Sequence, residues 1–185
     1  MPEVRKIKID IPKDSILSNY IEQLGGVIKE DVDKETVAFR CQVFDDCLKF
    51  LKNELKTEEF PLVKLEFINK QSEYEIIIKQ TERYERERVK TTSLAFAISG
   101  NFFDTIYMNM EQFFKLLQES KKTFVFHLIQ IYLHELLHCF YGNLKNEQEI
   151  HNAECEMLEK FSGITLPDEV KQLEMSEFYQ DNKGL

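Results

Sequence analysis

Hydrophobic positions along this chain change their period partway through. In the first part they tend to alternate: Ile7, Ile9 and Ile11; then Val63, Leu65 and Phe67; then Ile106, Met108 and Met110. Alternation of this kind predicts half-buried strands, and the apolar runs Tyr74–Ile78 and Leu94–Ile98 predict two more. Asp14 or Ser15 can cap a short helix through Leu24, ended by Gly25 and Gly26. Val27–Cys41 reads as a hairpin turning near Asp31–Lys34, and Phe44, Cys47, Leu48, Leu51 and Leu55 fall at helical spacing. The charged stretch Glu82–Arg88 reads as a solvated strand or loop.

After residue 110 the period becomes helical. Phe113, Phe114, Leu116 and Leu117 open this part, and a long helix follows from about Thr123 to Tyr141. Gly142–Lys145 breaks it. Asn146 with Glu149 has the form of a capping box, which predicts a helix over 147–161 closed by Gly163 and Pro167. A last acidic helix is expected over 168–179. The pattern predicts an α+β fold in one domain spanning residues 1–185. A mixed or antiparallel sheet in 1–110 would pack on the long buried helix, and 111–185 would form a helical portion.

Composition narrows the function. A hydrophobic share of 43% with fifteen Phe excludes intrinsic disorder. The net charge is −9, and residues 146–185 carry ten acidic against three basic side chains. Non-specific binding to nucleic acid or to anionic lipid needs the opposite balance, so both are disfavoured. The first residues interleave charge with Ile and contain no signal-peptide core. The greasiest run, Phe124–Phe140, is interrupted by His127, Gln130, His134, Glu135 and His138, which excludes a spanning helix. A cytoplasmic protein with no membrane partner is expected. Cys41, Cys47, Cys139 and Cys155 form no C-x-x-C pair and read as buried free thiols, with a Cys139–Cys155 bridge as the alternative.

The chemistry-bearing segment is H134-E-L-L-H138. Two His at i and i+4 share a helix face, so both imidazoles can bind one metal ion, and Glu135 can act as general base on a water held there. The surrounding helix is apolar nearly all round, while His127, Gln130, His134 and His138 form a single polar stripe. Such a stripe needs partners or a wet cleft, because unpaired buried polar groups cost a few kcal/mol each, on the order of 2–3. A catalytic Zn2+ site needs a third protein ligand and an open position. Glu147, His151, Glu154 and Cys155 on the next helix are the candidates. His151 is the expected ligand, since imidazole commonly binds zinc; Glu154 is the alternative, with Glu147 and Cys155 behind it. His127 fits the core or an outer supporting role. Tyr141 or Tyr132 could donate to an oxyanion, and the strand Thr105–Met110, if at a sheet edge, could pair with an extended peptide.

These residues resemble a zincin-type metallopeptidase. The stretch from His134 through H151-N-A-E-C is similar to the SprT-like family, in which an HExxH helix is followed by a third His at the start of the next helix. That resemblance implies a zincin-like fold, His134, His138 and His151 as zinc ligands, Glu135 as base, and a protein or peptide substrate hydrolysed through a zinc-bound water. The Cys-rich zinc ribbon of many members is absent. A second resemblance, to the ImmA/IrrE-like family, pairs HExxH with a downstream Glu and would favour Glu154 or Glu149. The metzincin pattern fails, since Tyr141 stands at its Gly position and Leu144 at its third His. The alternative function is a zincin-shaped metal-binding or regulatory protein without turnover.

Overall fold

The computed structural model describes residues 10–27, 29–87 and 90–172. Ser15 caps α1 (Ile16–Gln23), its side chain accepting the Ser18 N–H, and a 3-10 turn at Leu24–Gly26 ends it as expected. The strand expected at Ile7–Ile11 lies almost wholly outside the described residues, and Asp10 and Ile11 are irregular.

The expected hairpin at Val27–Cys41 is instead the first half of a long helix, α2 (Val32–Glu54). Thr36, Phe39, Arg40, Val43, Phe44, Cys47 and Leu51 are its buried positions, a helical period that reaches back beyond Phe44. Two of them, Thr36 and Arg40, are polar, which hid the stripe from a hydrophobic count. Arg40 is fully buried, its guanidinium 4.1 Å from the Phe67 ring centre and donating to Asp33.

Three strands follow: β1 (Val63–Ile68), β2 (Ala95–Ile98) and β3 (Asp104–Asn109). Their order is β1-β3-β2, with β1 parallel and β2 antiparallel to β3. The fold is therefore α+β and mostly helical, with a small mixed sheet. Side chains alternate as the pleat requires. Leu65, Ala95, Ala97, Ile106 and Met108 join the main core, whereas Ile68, Phe96, Ile98 and Tyr107 join a smaller cluster on the other face.

That smaller cluster is completed by Tyr74 and Ile78 from α3 (Gln71–Lys79), where a strand was expected. Three consecutive Ile favour a strand locally. However, Tyr74 and Ile78 are one helical turn apart and fully buried, while Ile76 is exposed. Burial against the sheet decides the period. The charged stretch forms α4 (Glu82–Glu87) rather than a strand or loop.

The remaining elements follow the expectation closely. They are α5 (Met110–Glu119), α6 (Lys121–Tyr141), a 3-10 turn at Gly142–Leu144, α7 (Glu147–Ser162) and α8 (Asp168–Gln172). The rest of the expected last helix, 173–179, lies outside the described residues. Ser120 caps α6, and the Asn146–Glu149 capping box of α7 is formed in both directions. Every residue of α6 from Thr123 to Leu137 is buried, enclosed by α1, α2, α5, α7 and β2. Among the described residues, no helix is long and apolar enough to cross a membrane.

Candidate metal centre

His134 and His138 project from the same face of α6, their ring centres 4.5 Å apart and their planes 80° to one another. The backbone then turns at Gly142, whose φ of 56° and ψ of −127° suit glycine and strain any other residue. The turn brings the start of α7 back beside the end of α6. Glu147, the first residue of α7, consequently meets the two imidazoles. One of its oxygens is 3.2 Å from His138 Nε2 and the other 4.0 Å from His134 Nε2. His134, His138 and Glu147 present ligand atoms that all lie within 4.8 Å of one another.

The third member of this cluster is thus Glu147, where His151 was expected. His151 lies one turn further along α7, fully buried, and its ring is engaged elsewhere. Its Nδ1 is 3.1 Å from Glu154 Oε2, and its Nε2 is 3.6 Å from Cys155 Sγ. Glu154, the alternative ligand, is also turned inward, its other oxygen 3.4 Å from His134 Nδ1. The capping box could have pointed to Glu147: it marks the first helical residue after the shortest return from His138. Ligand preference pointed to the imidazole instead.

Electrostatics follow from this crowding. Burial works to lower the His134 pKa, but Glu154, with Glu135 and Glu147, outweighs it and holds the imidazole above its ordinary value. His151 is likewise pushed up to about 10, burial being overcome by Cys155 and Glu154. Burial would raise Glu154, yet the two imidazoles hold its carboxyl below the usual range. Three carboxylates around this imidazole pair form a nest for positive charge.

Glu135 Oε2 and His138 Nε2 are buried and make no hydrogen bond among the described residues, and His134 Nδ1 meets Glu154 Oε1 at 3.4 Å, a charge contact longer than an ordinary N–H···O hydrogen bond. Glu135 Oε1 is 4.0 Å from His134 Nε2. Ligands of a tetrahedral ion with bonds of about 2.1 Å stand roughly 3.4 Å apart, close to the His138–Glu147 separation. A divalent cation fits this donor set, because it would accept the His138 Nε2 lone pair and neutralise the carboxylate beside it.

The centre opens into a cleft of about 710 Å³. His138, Glu147 and Lys145, Ala97 and Ile98 of β2, and Thr81 before α4 are among its lining residues. His134 and Glu135 sit behind them, 3% and 6% exposed.

Other expected participants stand apart. β3 is the central strand, flanked on both sides, so the expected peptide pairing along Thr105–Met110 has no open edge to use. Tyr132 is fully buried and donates to the Arg40 carbonyl at 3.0 Å, which removes it as an oxyanion donor. Tyr141 packs against Phe140, with the Lys145 ammonium 4.7 Å from its ring centre. His127 Nδ1 is 3.0 Å from Gln130 Oε1 inside the core, away from the cluster. All four cysteines are free, so Cys139 and Cys155 are not bridged, but only Cys47 and Cys155 are buried as expected; Cys139 is partly buried and Cys41 is exposed. Comparison with protein-family models, with curated proteins and with solved structures finds no match for this chain.

Proposed function

We propose that this protein is a zinc-dependent peptidase. His134, His138 and Glu147 would hold the ion, and Glu135 would serve as general base. The observation that carries the reading is the convergence of those three side chains, two of which line a cleft, beside a buried carboxylate oxygen that makes no hydrogen bond among the described residues. A carboxylate in the third position departs from the SprT-like pattern and has the donor type of the ImmA/IrrE-like one, though at Glu147 rather than at the Glu154 or Glu149 which that resemblance favours.

Zinc held there would act as a Lewis acid on a peptide carbonyl and bring a bound water's pKa to about 7. The Glu135 carboxylate, almost out of solvent, would take a proton from the attacking water and deliver it to the leaving amine. His134 and His138 would each offer a ring-nitrogen lone pair to the ion, and Glu147 would offset part of its charge. The cleft is large enough to admit an extended peptide, and its apolar contribution comes from Ala97 and Ile98 of β2.

The test is zinc content and peptide cleavage in the purified chain. Wild type is expected to bind one zinc, and His138→Ala to lose it. Glu135→Gln should keep zinc while cleavage of a peptide library falls about 10²–10⁴-fold, the usual contribution of a general base. Equal zinc in wild type and His138→Ala would end the metal reading. Full zinc with no cleavage by wild type would leave a metal-binding protein without turnover.

A further inference from the structure

A second trio of ligand-type side chains, His151, Glu154 and Cys155, lies behind the candidate centre and is buried throughout. Its ligand atoms also lie within 4.8 Å of one another, but they are already engaged internally: His151 turns Nδ1 to Glu154 and Nε2 to Cys155. The two oxygens of Glu154 are divided as well: one faces His151 Nδ1 and the other His134 Nδ1. The result is a chain of contacts from Cys155 through His151 and Glu154 to the back of His134.

We propose that Glu154 is a positioning residue for the metal centre, with His151 as its anchor. This rests on the reading of His134, His138 and Glu147 as ligands. A carboxylate accepting the Nδ1–H of a metal-binding imidazole selects the tautomer with a bare Nε2, fixes the ring plane and increases the donor strength of that nitrogen. Here Nε2 of His134 lies 4.0 Å from a Glu147 oxygen, the side where an ion would lie. Glu154 cannot swing away, because its second oxygen is tied to a fully buried His151 on the same helix. A free surface carboxylate at this point would instead be a competitor for the ion.

The experiment measures Zn2+ affinity by chelator competition and the Co2+ absorption spectrum, on wild type and Glu154→Gln. The amide keeps the shape but loses the charge and one acceptor. Zn2+ affinity should fall roughly 10–100-fold, the usual effect of losing such a partner, with a changed Co2+ spectrum and unchanged far-UV circular dichroism. Nitrogen-detected NMR of zinc-loaded wild type provides a second measurement that needs no variant. It should find His134 protonated at Nδ1 and bound through Nε2. Binding through Nδ1, or an unaltered affinity in Glu154→Gln, would overturn the proposal while leaving the centre intact. A second equivalent of zinc that disappears in Cys155→Ser would also overturn it, by making the trio a site of its own. Absence of zinc binding by wild type would overturn both this role and the reading it rests on.

Discussion

Two groupings of histidine and carboxylate flank the His134 ring, and they use similar residues to opposite ends. On the cleft side, His138 Nε2 and the half-exposed Glu147 face each other without a hydrogen bond that satisfies the nitrogen. On the core side, His151, Glu154 and Cys155 are buried and occupy one another. Residue type alone would rank the second grouping higher, since it offers His, Cys and Glu together. Both bring ligand atoms within 4.8 Å of one another; what separates them is that the core grouping turns both His151 nitrogens to internal contacts, whereas His138 and Glu147 border a cleft.

Substitution can break or sharpen this contrast. The largest effect is expected from Glu147→Ala set against His151→Ala, both titrated with Zn2+. Loss of Glu147 should weaken binding by more than about 100-fold, beyond what an outer partner usually contributes, whereas loss of His151 should stay within about 10–100-fold. The reverse order would make His151 the ligand.

Those two residues also mark how far the sequence could be read. Elements whose ends are written locally were legible: α7 carries the Asn146–Glu149 box and Gly163, α6 stops at Gly142, and each has the expected bounds to within two residues. The pair His134 and His138 was legible because a helix places i and i+4 together whatever surrounds it. α3 was not, since its three Ile favour strand and only the sheet face beneath them decides otherwise. The first half of α2 was hidden by the polar residues Thr36 and Arg40 in its buried stripe. Glu147 was ranked low because spacing along α7 does not reveal how that helix is rotated. Its rotation is set by Ile150, Met157 and Leu158, which enter the core alongside His151 and Glu154.

A smaller effect is expected at the turn. Gly142→Ala meets no neighbouring atom, so its cost is purely the backbone angle, about 1–3 kcal/mol in a denaturant melt. Because that angle aims Glu147, zinc affinity should fall too, although no ligand is removed. Unchanged stability and affinity would mean that the turn tolerates another path.

The smallest effect belongs to Cys155→Ser. It keeps a polar atom near His151 and should change zinc affinity by less than about tenfold, below the range for a directly contacting partner. A larger loss would extend the supporting chain one residue deeper than Glu154.

The donors on the cleft side come from both arms of a helix pair joined only by the short connection at residues 142–146. An ion seated between them would act as a clasp across that joint. Its binding energy would then be counted in the folding stability as well, with melting temperature rising as free zinc rises. Chelation would not merely switch off chemistry; it would let the first turn of α7 fray from its neighbour.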